Sequence, residues 1–173
     1  MSKEQTVIWV DEEDHELGFV PRKKAHTEGL LHRIAVVYVV REDGKILVQE
    51  RLSGRLDHSA AGHVDPREDY ISAAKRELEE EIGIKNVELH ELGKMSASQK
   101  EPEVDNAIVR YMFNLFELRT DAYGILGADE VKGVFWADPK EIYEEMKADP
   151  ANEKFVGGFK ASLRFYLQNK KML

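Results

Sequence analysis

Residues 62–84 read GHVDPREDYISAAKRELEEEIGI, and the fold of the whole chain turns on this stretch. Ile71, Ala74, Leu78 and Ile82 recur at spacings of three, four and four, one apolar stripe at the helical period. Asp65-Pro66 supplies a capping carboxylate and a proline suited to a first turn, and Gly83 supplies a C-terminal stop. Glu77, Glu80 and Glu81 fall at i, i+3 and i+4, so their carboxylates project from one side while Leu78 and Ile82 face the core. Like charges at these spacings destabilise a helix and raise one another's pKa unless something positive compensates. A hard divalent cation does so: carboxylate oxygens suit Mg2+ or Mn2+, usually together with water and substrate phosphate. The plain alternative is a solvated acidic face. Gly62 permits a close backbone turn before the helix, and Glu68 can reach Arg76 to fix the loop against it.

Outward from this helix, strand and helix signals interleave. Thr6–Val10 reads as a short strand, with Leu17–Val20 as its hairpin partner, closed by Pro21. Arg22-Lys23-Lys24 reads as a solvated basic turn leading into a loop that carries His26. Arg33–Val40 has the β-branched content of a buried central strand, and Glu42-Asp43-Gly44 turns it back into Lys45–Gln49 as a hairpin. Arg51–Asp65 and Lys100–Asn106 read as polar loops, and Val87–Leu92 as a weak strand. Ile108–Leu118 and Val131–Trp136 are stronger strands, Asp138-Pro139 caps a helix to about Lys147, and Phe155–Leu167 predicts a closing helix. No repeat or linker divides the chain. One α/β domain over residues 1–173 is expected, a mixed sheet covered by helices.

Composition narrows the classes. With 33 Asp+Glu against 25 Lys+Arg, the net charge of −8 argues against nucleic acid or an anionic membrane as partner. The absence of cysteine excludes disulfides, thiolate nucleophiles and Cys-based metal sites. The longest apolar run, Ile34–Val40, is far short of the ~20 residues that span a bilayer, and no signal-like segment opens the chain. A cytoplasmic protein is expected.

The full spacing is Gly62, five residues, Glu68, seven residues, then Arg76-Glu77-Leu78-any-Glu80-Glu81-any-Gly83-Ile84. With positions 78 and 84 required only to be apolar, the seven positions of fixed residue type match by chance at ordinary composition on the order of 10⁻⁹–10⁻⁸ per start point. The segment resembles the Nudix box. That resemblance implies an α/β/α sandwich, here with an N-terminal β extension over residues 1–30, and Mg2+- or Mn2+-dependent hydrolysis of a small-molecule diphosphate. Carried over, Glu77, Glu80 and Glu81 would be metal ligands, Arg76 would orient Glu77, and Glu68 would pair with Arg76. The general base would come from outside the box, with Glu130, Glu103 and Asp105 as candidates and Glu130 the first choice. Similar proteins are often homodimers, and the N-terminal strands could pair across a two-fold axis.

A second resemblance is more selective. KAHTEGLLHRIAVVYVV, VQER and SAAGHV look like the isopentenyl-diphosphate isomerase branch of the same superfamily, whose histidines hold a metal. His26, His32 and His63 lie at similar places, although the first two are six apart where the isomerases' pair is seven apart. The isomerase cysteine position holds Ala61, and a later carboxylate pair is reduced to Asp105 with Ala107. These departures favour a hydrolase of that branch over an isomerase; a non-catalytic diphosphate sensor is the alternative from another class. For substrate binding, Arg51 at a strand end, Gly62 and His63 are candidates. Arg33, beside His32 at a strand start, is another, against the reading of a half-buried structural pair. Tyr111, Phe113 and Trp136 could stack on a base or simply fill the core.

Overall fold

The structure is a computed structural model and describes residues 3–151 and 153–173, so residues 1 and 2 of the N-terminal extension lie outside the described residues. Among the described residues nine strands form one mixed sheet: β1 (Thr6–Val10), β2 (Glu16–Pro21), β3 (His32–Val40), β4 (Ile46–Arg51), β5 (Leu56–Asp57), β6 (Ala60–His63), β7 (His90–Glu101), β8 (Ala107–Arg119) and β9 (Val131–Ala137). Four helices accompany them: α1 (Arg22–Glu28), α2 (Tyr70–Ile82), α3 (Pro139–Lys147) and α4 (Phe159–Asn169).

β3 is central because its run of apolar residues is buried on both faces, as a strand covered on two sides requires. Ile34, Val36, Tyr38 and Val40 pack towards α3 and α4, against Ile142, Met146, Leu163 and Leu167. Ala35, Val37 and Val39 pack towards α2, against Ala74, Leu78 and Ile82. The expected α/β/α sandwich is what forms. The stripe read from the sequence is the buried face of α2, and Gly83 takes the left-handed conformation at φ 67° that ends it.

Several local expectations change. The cap of α2 is Asp69, whose side chain accepts from Ser72 N, and Asp65-Pro66 lies in the preceding loop. The β3–β4 hairpin shrinks to one pair, Val40↔Ile46. Beyond it the two strands part: β3 pairs with β6 and, in parallel, β8, while β4 pairs with β5 and β9. A strand as apolar as β3 takes a partner along both edges, and the short β6, unexpected within a loop rich in polar residues, supplies one of them. Residues 22–28 form α1 instead of a turn and loop, because Ala25 and His26 find burial on its inner side. β7 starts later than expected and runs through Glu101, paired along its length with β8. The closing helix begins at Phe159, since residues 155 and 156 are drawn to β5 through the bridge Leu56↔Phe155.

The N-terminal extension is clamped to the rest of the fold at Asp14. Its carboxylate accepts from Arg33 Nε at 2.7 Å, Tyr70 Oη at 2.9 Å and Lys94 Nζ at 2.5 Å. Burial alone would raise the pKa of Asp14, but these three donors outweigh it and hold the group below its ordinary value.

Candidate active site

Where β3 and β4 part, a cavity of about 800 Å³ opens over the C-terminal parts of β6 and α2. Glu77, Glu80 and Glu81 line it together, as the helical spacing requires. Glu77 and Glu81 are buried, whereas the Glu80 side chain is exposed. Gly62 is needed for a reason other than a turn: it lies inside β6, and a Cβ there would overlap the Glu77 carboxylate and fall 2.8 Å from its Cγ.

Arg76 ties this cluster to the loop before α2. Its guanidinium donates to both Glu68 oxygens at 2.6 and 2.9 Å, to Glu77 Oε1 at 2.7 Å and to the His63 carbonyl at 3.0 Å. These are the Glu68 and Glu77 pairings expected from the sequence, and the Glu68 bonds above all raise the pKa of Arg76. Glu81 Oε2 accepts from Gln49 Nε2 at 2.7 Å and from Ala61 N at 3.3 Å. Nothing in the sequence marked Gln49. It holds Glu81 from β4 while the helix holds it from below.

Burial pushes Glu77 up to about 7, with Glu80 and Glu130 adding repulsion and Arg76 opposing. Burial also raises Glu81 well above the carboxylate range, and Asp57 and Glu77 add to the rise. Two buried carboxylates that resist ionisation next to an exposed third form a set of hard oxygen donors matched to a small divalent cation. The residues therefore fit a divalent metal cation.

Of the remaining candidates, Arg51, His63, Glu130 and Glu103 line the cavity, and Asp105 and Arg33 do not. Arg33 alternates to the opposite face of β3 from His32 and Ile34, bonds Asp14 and lies over the Tyr70 ring. The phosphate-binding expectation for Arg33 is thus corrected to a structural clamp. Asp105 sits at φ 54° in the turn between β7 and β8. Tyr111 and Phe113 face the cavity, whereas Trp136 packs against the α2-side core and under Arg41.

The sequence also understated the N-terminal extension. Glu4, Gln5, Arg22, Lys23 and His26 all line the cavity, so the basic run is part of its wall. Its apolar pattern over seven residues is too short to separate a helix from a turn. His26, His32 and His63 converge with ligand nitrogens within 4.8 Å of one another, and His32 Nε2 is buried without a hydrogen-bond partner. The three imidazoles could hold a transition-metal ion, but among the described residues no carboxylate joins them.

Comparison with known proteins gives one family and one fold. The NUDIX domain family matches residues 30–158. The uncharacterised Nudix hydrolase YfcD of Shigella flexneri is 36% identical over 143 residues, covering 78% of this chain and 76% of that protein. Isopentenyl-diphosphate Delta-isomerase 2 of Aromatoleum aromaticum is 27% identical over 159 residues, covering 88% and 82%. The crystal structure of DR0079 from Deinococcus radiodurans shares the fold with a TM-score of 0.74 at 22% identity, covering 92% of this chain and 97% of that one.

Proposed function

Because the chain belongs to the Nudix domain family and is an enzyme of the pyrophosphohydrolase kind, we propose that it is a Mg2+- or Mn2+-dependent hydrolase of a small-molecule diphosphate, attacking phosphorus with water. The observation that carries this is the cluster of Glu77, Glu80 and Glu81 fixed by Arg76 and Gln49 on the floor of a cavity that Arg51 and Glu130 also line. When bound, the divalent ion neutralises diphosphate charge and lowers the pKa of the attacking water.

Glu77, Glu80 and Glu81 would hold the ion, and Arg76, which donates to Glu77 Oε1, would orient that carboxylate. Arg51 donates to diphosphate oxygens from the β4 side, with Gly62 and His63 bordering the ligand. Glu130 accepts the proton of the attacking water as its oxygen bonds to phosphorus and the bridging P–O bond breaks, which releases the second phosphate. The protein works in the cytoplasm as a single domain, alone or as a homodimer, on small molecules and not on nucleic acid or a membrane. No helix among the described residues is long and apolar enough to cross a membrane.

The isomerase reading lacks support at two points: Ala61 stands at the cysteine position, and among the described residues no carboxylate completes the histidine cluster. A screen of diphosphate compounds with Mg2+, read by phosphate release with and without added phosphatase, tests the hydrolase reading. Glu81→Gln should abolish turnover by about 10³-fold or more while leaving the fold intact. Wild-type turnover in that variant would remove Glu81 from its role, and double-bond migration in isopentenyl diphosphate would replace hydrolysis with isomerisation.

A further inference from the structure

Behind the cavity wall lies a chain of buried polar groups that runs from α4 to Arg51. Asp57 Oδ2 accepts from Arg51 Nη1 at 3.3 Å. Asp57 Oδ1 is taken by the backbone N–H and the Nδ1 of His58, both at 2.7 Å. His58 Nε2 meets Ser162 Oγ at 2.6 Å, and Ser162 Oγ meets Tyr38 Oη at 2.8 Å and the Phe159 carbonyl at 3.1 Å. Asp57, His58, Ser162 and Tyr38 are all buried.

The order Ser–His–Asp has the form of a nucleophilic triad, but the setting excludes that use. Ser162 has no exposed surface, does not line the cavity, and its hydroxyl is shared among three protein partners. A nucleophile must reach its substrate. What the chain does reach is the cavity: Asp57, His58 and Arg51 all line it, and Arg51 also faces Glu81 and Glu130.

We propose that Asp57, His58 and Ser162 are positioning residues that set the orientation of Arg51 for the diphosphate, so that α4 acts on the site it does not touch. This rests on the reading of Arg51 as a diphosphate ligand. The logic is one of valence. A buried carboxylate has two oxygens, and His58 occupies Oδ1 twice, which leaves Oδ2 to face Arg51. A bond at the other ring nitrogen keeps the imidazole in the orientation that sets Nδ1 against Oδ1. Ser162 fixes it, and Tyr38 and the Phe159 carbonyl fix Ser162 in turn. The chain also crosses the junction where α4 is joined to β5, since Val156 N donates to the Leu56 carbonyl and Leu56 N to the Lys154 carbonyl.

The test is a double-mutant cycle on affinity for imidodiphosphate, a diphosphate whose bridging oxygen is replaced by nitrogen, measured calorimetrically with Mg2+. Arg51→Ala should weaken binding about tenfold or more, and Ser162→Ala about three- to tenfold. The double variant should bind no more weakly than Arg51→Ala alone, whereas the loss of melting temperature from Ser162→Ala should persist in it. Tyr38→Phe, which removes one hydroxyl and keeps the ring, serves where Ser162→Ala does not fold. The Arg51 side-chain Nε–H resonance of the ligand-free protein should shift or broaden in both variants. Full affinity in Ser162→Ala and Tyr38→Phe beside a weakened Arg51→Ala overturns the positioning role alone. So do additive losses. Full affinity in Arg51→Ala, or no binding by the native protein, overturns the reading of Arg51 and the proposal with it.

Discussion

The backbone of Gly62 lies against the carboxylate of Glu77, close enough that any side chain at 62 would occupy the space the carboxylate now fills. Gly62→Ala should therefore displace Glu77 from the cavity floor and break its bond to Arg76. Mg2+ affinity should fall at least tenfold, with a stability loss of about 1–3 kcal/mol from overpacking. Calorimetric Mg2+ titration and urea unfolding measure the two effects separately. An unchanged Mg2+ affinity would show that Glu77 has no part in holding the ion.

Metal and protons should compete for the site. Glu77, held at about 7 chiefly by burial, is largely protonated below neutrality, and Glu81 is raised in the same direction. Binding of a divalent cation needs the ionised forms, so affinity should increase with pH through neutrality and binding should release protons. Mg2+ titrations in two buffers of different ionisation enthalpy, at pH 6 and pH 9, count those protons. Release should be greater at pH 6, and Glu77→Gln should reduce it. Equal release at both values would contradict the raised carboxylates. Removal of the ion with a chelator should abolish turnover and leave the fold in place.

The histidine cluster makes a different prediction, on stability. Burial lowers His26 and His32 to about 4 from 6.5, and His63 well below 6.5. An unfolded chain would bind protons on these residues near 6.5 while the folded one would not. The contribution of His26 and His32 is complete above pH 6.5 and is lost as the pH falls from 6.5 towards 4, and His63 acts in the same direction. Urea unfolding at pH 7.5, 6 and 5 should show this decline, and His32→Asn should make it shallower. A profile unaltered by that substitution would exclude His32 as a source.

What the sequence made legible follows from periodicity. A helix with a carboxylate face and an apolar face needs only 3.6 residues per turn to be recognised, so the shared face of Glu77, Glu80 and Glu81 follows from spacing and the Arg76–Glu68 bond from charge and reach, while the Arg76–Glu77 bond was implied by the family resemblance. Partners that come from distant segments leave no such trace. Gln49 and Glu81 are 32 residues apart, and His58 and Ser162 are 104 apart. Arg33 shows a related limit. Its place beside His32 was visible, but which face of β3 it takes depends on the register with β8 and β6, and that register is a tertiary fact. Short segments form the third class, since the two to seven residues of β5, β6 and α1 carry too few periods to be distinguished from loop.

The family match begins at residue 30, and the segment before it supplies Glu4, Gln5, Arg22, Lys23 and His26 to the wall of the cavity. The wall of the cavity is thus shared between the matched domain and the segment before it. The box can stay fixed while the leading hairpin and its short helix are exchanged, with Arg33, Tyr70 and Lys94 as the socket that now receives Asp14 of the hairpin. Evolution, or an engineer, could in this way reshape the cavity by rewriting the first thirty residues and leave Glu77, Glu80 and Glu81 untouched.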